Sequence, residues 1–179
     1  FNITTKEFVN RVKNGIMPDN RSFLVQIESN PDIYGPFWIT ITVSILCFAL
    51  GNISVWIHHE GKFTYNFQSF VSTLNLLSAF VFGYPFAIWF YKKSSAPKVV
   101  ILMSLYGYTI PYLVFGSTLI FIFGFKFGFI CSSILGFLGS QSIFTKFTEY
   151  QISSGFGPVD KKYSIIIAAP YILVHIIAS

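Results

Sequence analysis

Between Val99 and Phe144 the chain carries a single charged side chain, Lys126. A spanning helix needs roughly 20 residues, so this run is too long for one crossing of a bilayer and fits two. A soluble protein cannot hide so much uncharged surface rich in Phe and Ile. The chain is therefore read as an integral membrane protein of the all-α, polytopic class.

The rest of the composition agrees. Of 179 residues, 53% are hydrophobic and 11% charged, against about 25% charged in soluble domains. The two cysteines, Cys47 and Cys131, lie inside apolar runs, which excludes a secreted disulfide scaffold and makes each a small buried hydrophobe. A pI near 9.2 would suggest nucleic acid in a soluble protein. Here the 12 Lys and Arg residues are explained by membrane topology, and no nucleic-acid partner is expected. No signal peptide is evident, because a polar, folded-looking segment precedes the first apolar run. The chain opens on Phe1 and stops inside an apolar run at Ser179, as a piece of a longer protein does.

Five spans are predicted, at about 37–57, 70–91, 99–122, 127–145 and 163–179, the last one cut short. They form a transmembrane domain over 36–179, behind a cytoplasmic or interfacial segment over 1–35. The cations follow the breaks. Lys6, Arg11, Lys13 and Arg21 precede the first span, and Lys62 alone follows it. Lys92, Lys93 and Lys98 follow the second, Lys126 the third, and Lys146, Lys161 and Lys162 the fourth. Positive charge stays on the cytoplasmic side, so the amino-terminal segment is cytoplasmic and the carboxyl end lumenal or external.

Residues 3–16 read as an amphipathic helix. Thr4 and Glu7 have the spacing of a capping box, with Ile3 and Phe8 as a hydrophobic staple. Phe8, Val9, Val12 and Ile16 make one apolar stripe, with Lys6, Arg11 and Lys13 outside or beside it. Gly15 and Pro18 stop the helix. Such a helix lies on the lipid surface, apolar face down and basic residues toward anionic headgroups, or else offers a docking face to a cytoplasmic partner. A second strip, Phe23, Leu24, Val25 and Ile27, also suits the interface.

The first span opens with Asp32, Ile33, Tyr34, Gly35, Pro36, Phe37 and Trp38. Pro36 fits a first helical turn, Asp32 and Asn30 can cap exposed amides, and Tyr34 and Trp38 suit the headgroup level. Gly35 permits close approach of another backbone. This segment resembles the signature of the Yip-domain family, the Rab/Ypt-interacting membrane proteins of the Golgi, with Ile33 where the family has Leu. The resemblance extends to Arg11 through Pro18, to Gly51 and Asn52 at the close of the first span, and to Tyr106, Gly107 and Tyr108 with Pro111 in the third. The Phe-Trp variant points to the late-Golgi branch. The resemblance implies five spans, a cytoplasmic amino terminus and a role in vesicle-mediated transport at the Golgi, extending to endosomes. Its implied partners are Rab-type small GTPases and other Yip proteins, besides the lipid bilayer. No catalytic residue or cofactor is carried over, so no enzyme is expected. The residues the family motifs single out for interaction are Asp32, Tyr34, Gly35, Pro36, Phe37, Trp38, Tyr106, Gly107, Tyr108 and Pro111.

The alternative is a small channel or transporter. Such proteins place carboxylates or cations inside the bundle, whereas the predicted spans hold none apart from Lys126 at a turn. Glu60, Glu149 and Asp160 fall in loops, and His175 in the fifth span is the clearest intramembrane ionisable group. His58, His59 and Glu60 are too few for a metal site. Polar pairs such as Asn52 and Ser54, or Asn75 and Ser78, and the glycines from Gly116 to Gly139 suit close packing of helices. Pro85 and Pro111 should kink the second and third spans, the latter opening a groove of lipid or prenyl size beside Tyr106 and Tyr108.

Overall fold

The computed structural model describes residues 3–17, 21–58, 67–91, 98–153, 165–166 and 168–171. Among these every regular element is helical: α1 (Thr5–Ile16), α2 (Arg21–Ser29), α3 (Tyr34–His58), α4 (Phe67–Ser78), α5 (Tyr84–Tyr91), α6 (Val99–Thr109) and α7 (Tyr112–Ser153). Among the described residues four stretches are long and apolar enough to cross a membrane: Tyr34–Ile57, Phe67–Phe90, Val99–Gly124 and Lys126–Ile152. At 1.5 Å per residue each is about 36–40 Å long, somewhat more than the roughly 30 Å hydrocarbon core.

Local chemistry sets the breaks. In the second span α4 passes into α5 through a π-helical turn, Ala79–Gly83, where the Tyr84 amide reaches back to the Ala79 carbonyl. Pro85 follows at once. It has no N–H, and its ring crowds the carbonyl four residues back, so the wider turn makes room for it. In the third span Pro111 does more than kink the helix. α6 ends at Thr109, and the chain makes a tight turn in which the Leu113 and Val114 amides bond to Ile110 and Pro111 (2.8 and 3.1 Å). Gly124, at φ 75°, then divides α7 into two arms. That sign of φ suits only a residue without Cβ. The arms fold back so closely that a Cβ on Gly128 would strike the Ile120 backbone.

The fourth span outruns its predicted end at residue 145. The apolar run stops there, but Ile143, Phe147 and Tyr150 continue one buried face, and that packing carries the helix on. Lys146 and Glu149, expected in a loop, therefore lie within the span. The predicted fifth span falls mostly outside the described residues, as do His59, Glu60 and His175. Of its described residues Ile165 and Ile166 are exposed, while Ala168 and Tyr171 reach the core: Tyr171 is buried against Gly139 and Phe80, and its hydroxyl bonds to the Thr109 carbonyl at 2.8 Å. That carbonyl is one the Pro111 break releases from its usual helical partner.

Of the apolar stripe of α1, Val9 is exposed, but the other three residues face protein rather than lipid. The helix packs with α2 against α6 and the far arm of α7. Phe8, Val12 and Ile16 sit on the hydrophobic core, and from α2 Phe23 and Ile27 are buried within it. Lipid tails give little drive to apolar association between helices, so position in such a bundle is set by close packing and polar contacts. α1 has both.

Candidate functional site

The two motifs that stand apart in sequence meet in space. Asp32 caps α3, one carboxylate oxygen accepting the Gly35 amide at 2.7 Å. The other oxygen accepts the Tyr108 hydroxyl at 2.8 Å and an Arg11 guanidinium nitrogen at 2.6 Å. The Asp32 carbonyl accepts the Ser104 hydroxyl at 2.6 Å. One residue, by its side chain and its carbonyl, thus ties together α1, α3 and two turns of α6.

Glycines let the motifs close. A Cβ on Gly35 would fall on the Tyr108 phenol ring, so the close approach foreseen at Gly35 is to a side chain rather than a backbone. A Cβ on Gly107 would fall on Pro36, and one on Gly15 would lie 2.5 Å from the Tyr108 carbonyl oxygen. Gly15 was expected to stop α1. Instead it lies within the helix and lets it seat on α6.

Two cations are drawn inward. Arg11, expected beside the apolar stripe, is fully buried. Its guanidinium also bonds to Glu7 at 2.7 Å and to the Asn30 carbonyl at 2.8 Å. Lys146 is equally buried, donating to the Gly15 carbonyl at 2.5 Å with its nitrogen 4.7 Å from the centre of the Phe23 ring. The Tyr112 hydroxyl donates to the neighbouring Ile16 carbonyl. The last carbonyls of α1 are thus capped by side chains from another element, one of them cationic as the helix dipole favours. Ser104 is a polar residue that sequence marks as able to bond across helices, and it does so here; sequence reasoning missed the parts played by Arg11, Tyr112 and Lys146. The signal for Arg11 was its i, i+4 spacing from Glu7, which is also that of an ordinary surface pair.

The remaining motif residues divide cleanly. Tyr106 is fully buried against Phe80 and Tyr84, and Pro36 is buried with it. Pro111 sits at the helix break, apart from the Asp32 junction. Tyr34, Phe37 and Trp38 point outward, each about half exposed. They line a groove of about 1060 Å³ along with Asp32, Ile3 and Val100. No group of His, Cys, Asp and Glu suited to a metal occurs among the described residues.

These features define a polytopic helical membrane protein whose amino-terminal helices are built into one end of the bundle by two sequence motifs. Comparison with known proteins carries the matter further. The chain is 27% identical over 123 residues to the protein YIPF1 homolog of Dictyostelium discoideum, covering 66% of this chain and 35% of that protein. It is 29% identical over 114 residues to protein YIP5 of Schizosaccharomyces pombe, covering 60% of this chain and 45% of that protein. The chain spans less than half the length of these curated relatives. No family model and no solved structure matches. The resemblance to the Yip family is borne out by these relatives.

Proposed function

We propose that this chain is the membrane domain of a non-enzymatic Golgi protein of the Yip type. It acts in vesicle-mediated transport, at the late Golgi and endosomes, by binding Rab-type small GTPases and pairing with related Yip proteins. The observation that carries this is the junction itself. The motifs on which the family likeness rests, Asp32 to Trp38 and Tyr106 to Tyr108, close on each other and hold Tyr34, Phe37 and Trp38 at the surface. The relatives' names support the family, and Rab and Yip partners are what that family implies. The test is recovery of the tagged chain from detergent-solubilised Golgi membranes, followed by mass spectrometry. Enrichment of a Rab-type GTPase and of another Yip protein is expected. Recovery of neither overturns the proposal.

A second reading, a channel or transporter, draws on the buried Arg11, Asp32 and Lys146, since ionisable groups inside a bundle commonly mark a conduction or proton path. Each has partners that fasten α1, which favours a structural use. Liposomes holding the purified protein decide: a saturable solute or proton flux lost in Lys146→Met or His175→Ala would replace the first reading.

A further inference from the structure

Tyr34, Phe37 and Trp38 fall at i, i+3 and i+4 on α3, so the first turn of that helix presents three rings on one face. Tyr34 and Trp38 stand 6.1 Å apart at 68°, and Phe37 and Trp38 5.6 Å apart at 81°. Rings set nearly perpendicular form the walls of a box, and all three line the groove described above. A smaller cleft of about 340 Å³, bordered by Thr4, Thr5 and Phe8, adjoins it and shares Ile3, Tyr34 and Trp38.

The charge on the groove selects among ligands. Among the described residues no Lys or Arg lines it, and Asp32 is the one charged residue there. The Gly35 amide, which would draw an anion to the start of α3, is already taken by Asp32. Among the described residues an anionic headgroup therefore finds neither a cation nor a free helix terminus there. A quaternary ammonium finds ring faces, the feature by which aromatic boxes recognise choline. Val100, Ile3 and Ile33 extend the groove as apolar wall, the surface an acyl chain would meet beyond the headgroup. Tyr and Trp commonly sit at headgroup level, so a lipid is the molecule this groove meets at high concentration.

We propose that the groove is a binding site for a choline phospholipid, its trimethylammonium held among Tyr34, Phe37 and Trp38 and one acyl chain lying toward Val100. This is a specific site, distinct from the general affinity of aromatic side chains for the interface.

The test uses the full chain purified in a maltoside detergent and offered phosphatidylcholine or phosphatidylglycerol with identical acyl chains, with bound lipids counted by native mass spectrometry. Phosphatidylcholine should be retained in preference by roughly tenfold. Trp38→Leu and Phe37→Leu keep apolar bulk at exposed positions. They should remove most of that preference while leaving total bound lipid and unfolding temperature unchanged. A matching change at Trp89→Leu, a ring outside the groove, should leave the preference intact. Equal retention of the two lipids would overturn the proposal and reduce the rings to an indiscriminate interfacial belt. So would a choline preference that survives Trp38→Leu and Phe37→Leu combined.

Discussion

At the scale of single residues, Asp32 carries more than any other side chain, because it caps a helix, accepts a phenol and neutralises a buried cation. These duties separate experimentally. Asn in its place keeps an oxygen for the Gly35 amide but removes the charge opposite Arg11. Stranding a buried charge costs about 3–5 kcal/mol. Thermal unfolding of Asp32→Asn in detergent should show that loss, and adding Arg11→Met should recover much of it. An Asp32→Asn protein as stable as the parent would show that Glu7 alone suffices for Arg11. Gly35→Ala places a methyl group where the Tyr108 ring stands. Overpacking of this sort costs about 1–3 kcal/mol, and the chain should still insert into membranes while its unfolding temperature falls. Sequence alone marked Asp32 as a cap and Gly35 as a close approach, since both follow from short-range chemistry. It did not reveal that Tyr108, 76 residues away, is the partner of both, because pairing at that distance is decided by how whole helices pack.

At the scale of elements, the legible features were those written in hydrophobic period and in proline. The apolar run over 99–144 and the turn near Lys126 appear as two arms about Gly124, and α1 begins at Thr4 with the hydroxyl accepting the Glu7 amide. The illegible one was the direction α1 faces, for an amphipathic stripe looks the same whether it meets lipid or protein. Two predictions belong here. Lys146→Met removes the cationic donor to the Gly15 carbonyl, so α1 should loosen while the spans hold. Hydrogen exchange over residues 5–16 should quicken by about an order of magnitude if roughly 1.4 kcal/mol is lost, with α6 little changed. Uniform quickening through all helices would mean that Lys146 supports the bundle at large. Pro111→Ala restores a donor at the helix break. If the break serves only packing, stability should shift by less than about 1 kcal/mol and a trafficking defect should be fully complemented. If it shapes a surface for a partner, complementation should fail in a protein that still folds.

At the scale of the whole molecule, the burial of Lys146 alters the charge count that orients the chain. Lys146 and Lys126 both fall within Lys126–Ile152, which leaves Lys161 and Lys162 after the fourth span, and the alternation survives outside the spans: four, one, three, none, two. Single cysteines near Lys92 and Lys161 should therefore label from the cytoplasm and one near Lys62 should not. Labelling of all three from one side would overturn the orientation. The long-range bonds of α1 also impose an order of events on synthesis. Gly15 and Lys146 are separated by 131 residues. At 5–20 residues per second the ribosome needs about 7–26 s to pass from one to the other. For that interval the nascent amino-terminal helices lack the Lys146 clamp, and for much of it Arg11 and Asp32 lack Tyr108. The pair α1 and α2, made before every span, is thus among the last parts to be fully seated. A chaperone acting on this chain would have the newborn α1 to shield, and a truncation after the third span would leave α1 held by Asp32 and Tyr112 but without Lys146.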